Sequence, residues 1–117
     1  MARQEPGELY TRISSDEAHE MLTAGDAVVI DVRREDEYAA GHVRGALWIP
    51  VDDLLSRFDE LPADGKLLFI CAVGHRSGLA CETAGAMGAD PARLYNVEDG
   101  TPTWIKKTLP TSYGSEK

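Results

Sequence analysis

Cysteine is scarce in this chain: two among 117 residues, Cys71 and Cys81. Two thiols are too few for a disulfide scaffold, and their spacing matches no zinc-ligand pattern. A bridge between them is not expected either, because a helix following Cys71 would carry Cys81 up and away from it. Positive charge is also short, with 12 Lys and Arg against 20 Asp and Glu, for a formal net charge of −8. That field excludes broad docking on nucleic acid or on an anionic membrane, while leaving room for a local basic pocket that takes a small anion. No apolar run approaches the roughly 20 residues that a bilayer-spanning helix needs. The opening "MARQEPGELY" has no apolar stretch of the secretory-signal kind, so the cytoplasm is the expected compartment. Internal repeats, low-complexity blocks and long linkers are missing as well.

What is present is a chain of one-domain length with an ordinary globular composition. Residues 1–8 are expected as a flexible N-terminus, 9–110 as the single domain, and 111–117 as a flexible C-terminal tail. Within the domain, strand-like and helix-like patterns alternate. "ISSDEAHEMLTAG" carries a helix start, with Ser14 or Ser15 as cap, Glu17 at the capping-box position and Gly25 after the last turn. "AVVIDVR" is a continuous β-branched run suited to a strand buried on both faces. "EDEYAAG" reads as a short helical turn stopped by Gly41, "ALWIP" as a strand, and "VDDLLSRFDEL" as an amphipathic helix. "KLLFICA" follows the turn signal "PADG" and is the best central strand. The helix after it is rich in small residues, with Leu79, Cys81, Ala84 and Met87 as its expected packing face. "RLYNV" is a last strand, and "DGTPTWIKK" leads into a closing turn or helix. Such alternation predicts an α/β fold, with a central, mainly parallel sheet of about five strands and helices on both faces.

The stretch "FICAVGHRSGLA" holds the chemistry. Sites in open α/β sheets form beyond the carboxyl ends of strands, where loops lead into helix N-termini, and Cys71 lies at such an end. If Ala72, Val73, Gly74, His75, Arg76 and Ser77 fold back on themselves, their amides and the start of the next helix form an anion cradle with a sulfur at its base. An ordinary thiol, pKa about 8.5, is only about 3% thiolate at pH 7, and such a cradle raises that fraction. Gly74 suits a positive φ, Arg76 is the expected counter-ion, and Ser77 can cap the helix or donate to the sulfur. The plainer alternative is a buried, inert cysteine. That reading suits Cys81, which has no cation beside it. His75, adjacent to the cysteine on a turn, more commonly serves as a surface residue than as a catalytic one.

Three stretches together resemble the rhodanese-homology family of sulfurtransferases: "DVRREDEYAAGHVRGALWIP", "CAVGHRSGLA" and "LYNVEDGTPTW". The second matches Cys-x-x-Gly-x-Arg-Ser at the family's active-site loop. The resemblance implies a rhodanese-like domain in which Cys71 accepts sulfur from a small donor such as thiosulfate. The resulting persulfide passes its outer sulfur to cyanide, a thiol or a protein acceptor. It implies that the loop residues 72 to 77 bind the transferred group, with Arg76 assisting the donor, and that no metal or organic cofactor takes part. Asp31, Arg33 and His42 are implied as structural support of the site, and Trp48 and Trp104 as packing. The charge run "RREDE" reads as a solvated helix start. Two departures, Asp99-Gly100 where the family has a glycine pair and a loop without the well-known thiosulfate-user pattern, leave the donor unnamed. Two other readings carry less: a non-catalytic docking module of the same fold, which commonly lacks the cysteine or the arginine, and a phosphatase or arsenate reductase of related fold. The latter carry one more residue between cysteine and arginine than the four found here.

Overall fold

Alternation along one strand sets the layers. The computed structural model describes residues 2–117, and within β5 (Lys66–Ile70) Leu67 and Phe69 enter one core while Leu68 and Ile70 enter another. Four more strands complete the sheet: β1 (Thr11–Ile13), β2 (Ala27–Asp31), β4 (Leu47–Trp48) and β6 (Leu94–Val97). Their order is β1-β6-β5-β2-β4, every pairing is parallel, and β5 is central. Helices α1 (Ser15–Ala24) and α4 (Gly100–Lys106) cover one face with Ala18 and Trp104; α3 (His75–Ala86) and the segment at Leu54 cover the other.

Local chemistry marks the elements. Ser14 caps α1 and closes a reciprocal box with Glu17, and Gly25 ends the helix in the left-handed conformation. The short α2 (Glu35–Ala40) ends at Gly41. A second, two-stranded sheet pairs β3 (His42–Val43) with β7 (Thr111–Ser112) in antiparallel fashion.

Three expectations change. Residues 51–61 do not form one helix but two short 3-10 turns, Val51–Asp53 and Phe58–Glu60. Between them the Ser56 hydroxyl donates to the Asp53 carbonyl, a local bond that competes with regular helix. On α3, Leu79 and Met87 are exposed, and the inward face is Ser77, Ala80, Cys81 and Ala84. At about 100° per residue Leu79 falls on the opposite side, and the small residues let the helix lie close to the sheet.

The ends are also held. Arg3 pairs backbone to backbone with Arg12, and its guanidinium meets Glu98; Met1 lies outside the described residues. At the other end the Gly114 amide donates to the Ala39 carbonyl at 2.8 Å, and Glu116 presents its carbonyl to the buried ring of His42. Pairing of this kind satisfies backbone groups that a frayed tail would leave to water.

Truncation after Pro110 removes β7 and uncovers His42, and should lower stability by about 2 kcal/mol. A urea midpoint unchanged by the truncation would show that the tail adds nothing.

Candidate active site

Strand β5 ends at Ile70, and the next residue turns the chain inward. Cys71 is fully buried, with its carbonyl accepting the Thr101 amide at 2.9 Å. The following loop returns to the sulfur. The Gly74 amide donates to Cys71 Sγ at 3.1 Å and the Ser77 amide at 3.4 Å, and the Ser77 hydroxyl lies 3.3 Å away. Ser77 is the third residue of α3, and Gly74, its N-cap, contributes no side chain. The sulfur thus occupies the place of a capping oxygen, taking amides that the start of a helix leaves unpaired.

Two glycines make this closure possible. Gly74 has φ 91°, and a Cβ there would stand 2.9 Å from the Glu98 carbonyl oxygen. Gly100, at φ 76°, is tighter: a Cβ would come within 1.9 Å of the Ala72 carbonyl oxygen. The departure Asp99-Gly100 therefore keeps the glycine that touches the loop. Asp99 is also engaged, accepting from the Ser15 hydroxyl at 2.7 Å at the start of α1.

Burial pushes the Cys71 thiol up, but the Ser77 hydroxyl and the amides of Ser77, Val73 and Gly74 outweigh it and bring the pKa below the ordinary value. Cys81 goes the other way: burial lifts it well above the ordinary thiol, and its thiol donates to the Tyr95 carbonyl at 3.4 Å. Both cysteines are free. Beside the two amides, Cys71 shares one hydroxyl hydrogen with Asn96. Ser77 Oγ donates to Asn96 Oδ1 at 2.6 Å, while Asn96 Nδ2 donates to the Gly74 carbonyl at 3.1 Å. A protonated thiol can donate to Ser77 Oγ; a thiolate needs the Ser77 hydrogen turned toward it.

Arg76 differs from expectation. Its guanidinium forms a two-pronged pair with Glu37 at 2.7 and 2.9 Å, and the charge of Cys71 acts on it as a weaker contribution than that pair. Val73 and His75 are exposed, and Ala72, Gly74 and Arg76 are half-buried. Asp31 and Arg33 are buried behind the loop and paired at 2.7 Å, and Arg33 also donates to the Gly41 carbonyl at 2.8 Å. His42 is buried with its ring stacked on Tyr38 at 3.7 Å, and Tyr38 stacks in turn on Trp48. Arg33, oriented by Asp31, and His42 tie the last turn of α2, the helix that carries Glu37, through the Gly41 and Tyr38 carbonyls.

A cavity of about 700 Å³ between α2 and β4 is lined by no residue of the cysteine loop; another, small cavity of about 350 Å³ borders Val73, Gly74 and His75 together with Arg12 and Glu98. Among the described residues, no cluster of three or more His, Cys, Asp or Glu side chains could hold a metal ion, and no helix is long and apolar enough to cross a membrane. Glu37, Asn96 and Glu98 were not among the expected site residues. A polar Asn inside the apolar run "LYNV" was a usable signal; the Glu37–Arg76 meeting, 39 residues apart, had none.

Residues 14–107 match the family model of the rhodanese-like domain. The chain belongs to that family. This rhodanese-like domain is 35% identical over 97 residues to the human thiosulfate:glutathione sulfurtransferase, covering 71% of this chain and 84% of that one. The solved human single-domain sulfurtransferase TSTD1 superposes with a TM-score of 0.68 at 32% identity, over 82% of this chain and 96% of that one. A rhodanese-related protein from Thermoplasma volcanium gives 0.75 at 29% identity, over 86% and 96%. The chain spans only 40%, 42% and 60% of the length of three other curated relatives. Rhodanese-like domains thus stand both alone and within longer proteins.

Replacing Ser77 with Ala should raise the pH midpoint of Cys71 alkylation by iodoacetamide and slow the reaction at pH 7 about threefold to tenfold. An unmoved midpoint would mean that the hydroxyl does not stabilise the thiolate. Gly100→Ala should cost about 2 kcal/mol or more in urea unfolding, because the Ala72 carbonyl must move. A loss below about 0.5 kcal/mol would show that the loop yields freely.

Proposed function

We propose that this domain is a sulfurtransferase that carries sulfane sulfur on Cys71. The observation that supports this most directly is the convergence of two amides and one hydroxyl on Cys71 Sγ at the start of α3. In the first step the thiolate attacks the outer sulfur of a donor such as thiosulfate. The new S–S bond forms as the donor's S–S bond breaks, sulfite leaves with the electron pair, and Cys71 becomes a persulfide anion. In the second step an acceptor such as cyanide or a thiolate attacks the outer sulfur, and the electron pair returns to Cys71. Each step exchanges one nucleophile for one leaving group and needs no external oxidant or reductant, so the scheme includes no metal or organic cofactor.

The loop amides of residues 72 to 77 suit the persulfide because they are neutral dipoles fixed in place before the reaction. Asp31, Arg33 and His42 act at a distance, by holding the elements around the loop. The small donor and acceptor are the partners of this scheme; a protein acceptor fits it equally, and neither nucleic acid nor membrane enters. A phosphatase reading is disfavoured by Arg76, whose two terminal nitrogens are committed to Glu37 rather than free to clamp an oxyanion.

Incubation with thiosulfate should add about 32 Da to Cys71 by mass spectrometry, and cyanide should then release thiocyanate and remove the adduct. Cys71→Ser should abolish both events and Cys81→Ser neither. Adduct formation on Cys81, or turnover of p-nitrophenyl phosphate without any persulfide, would refute the assignment.

A further inference from the structure

Among the described residues, the arginines around the loop are each paired with a carboxylate. Arg12, which shares the small cavity with Val73 and Gly74, is held by Glu8 and Glu98. Arg33 is held by Asp31. Arg76, in the loop itself, gives both terminal nitrogens to the two oxygens of Glu37. Fork-to-fork pairing of this kind orients both partners as well as binding them.

Glu37 is not a side chain that swings in by chance. It is the third residue of α2, and its carboxylate also accepts from the Arg34 amide at 3.2 Å. The far end of α2 is tied by Arg33 on the Gly41 carbonyl. The bond from Arg76 holds the Glu37 carboxyl at a pKa of about 2, so the carboxylate remains charged across the working pH range. Cancellation of Arg76 is therefore permanent rather than gated by pH. In direct contact with the sulfur is a set of neutral groups, two amides and a hydroxyl. Such dipoles stabilise a single anionic sulfur at contact range but draw in no dianion from a distance, and the net charge of −8 opposes one.

We propose that Glu37 is a specificity-determining residue that, by holding Arg76 in an ion pair, turns Cys71 away from doubly charged inorganic sulfur donors and toward organic sulfane donors of lower charge, such as thiosulfonates. The donor class rests on the sulfur-transfer reading above; the charge selectivity of Cys71 does not.

Glu37→Gln tests it, since glutamine serves equally well at the third position of a helix start. The probes are iodoacetate, an anion, and iodoacetamide, its neutral analogue, whose rate ratio at Cys71 is insensitive to thiol pKa and to access. In Glu37→Gln the ratio should rise about threefold to tenfold, and it should return to the wild-type value in Glu37→Gln/Arg76→Gln. The thiosulfate KM should fall by a similar factor with kcat within about twofold, while the KM for benzenethiosulfonate moves less. Arg76→Gln alone, which removes the loop cation and leaves Glu37 to its contacts with Arg34, should lower the ratio, so the proposal stays open to test even if Glu37→Gln does not fold. An unchanged ratio in Glu37→Gln, or a rise that persists in the double variant, overturns it. If no variant turns over either sulfur donor, sulfur transfer is refuted, and the alkylation ratio still decides whether Glu37 sets the charge selectivity.

Discussion

A helix begins with amides that lack partners, and in this domain a sulfur atom is where the first of them end. Cys71 Sγ receives the Gly74 and Ser77 amides, and every neighbouring constraint serves that meeting. The central strand delivers the cysteine to the carboxyl edge of the sheet. Gly74 bends back in the left-handed region, over the Glu98 backbone. Gly100 lets the next loop press against Ala72, and Asn96 holds Ser77 from the neighbouring strand. The two amides, fixed in place by folding, stabilise a thiolate without reorganising, and the Ser77 hydroxyl adds to them by turning its hydrogen toward the sulfur.

Around this neutral cradle the charged groups are arranged in closed pairs. Asp31 and Arg33 are buried together, and Arg33 is completed by the Gly41 carbonyl. Among the described residues no buried side-chain nitrogen or oxygen lacks a partner. Buried charge is tolerated only when matched in this way. One result is mechanical: the pair at the end of β2 ties down the end of α2 at Gly41, and α2 presents Glu37 to Arg76. The other is electrostatic, since an acidic protein with its loop arginine cancelled offers little long-range attraction to anions.

Much of this was legible in the residues. Ser14, Glu17 and Gly25 announce α1 because capping is a local hydrogen-bonding problem. The apolar run at Leu67–Ile70 announces the central strand because a strand covered on both faces cannot alternate with polar residues. Cys71, Gly74 and Ser77 could be placed because their relation spans six residues of one loop. The errors share a cause as well. A helix over residues 51–61 was expected from spacing, but the Ser56 hydroxyl bond and two short turns replace it. Leu79 and Met87 were taken as inward because they are apolar, whereas α3 packs through its smallest residues.

Sequence alone therefore determined the parallel α/β class, four of the five strands of the main sheet and the place of Cys71 at a strand end before its loop, since each depends on neighbours close along the chain or on strand-scale hydrophobicity. Tertiary structure alone decided which acid meets Arg76, which amide holds Ser77, and how the chain ends pair with β3 and β1. Those contacts join residues that only the packing of separate elements brings together, and no local pattern encodes the distance between them. Arg76 shows the difference most clearly. Its place in the loop made it the expected partner of the sulfur, and a carboxylate from another helix took it instead.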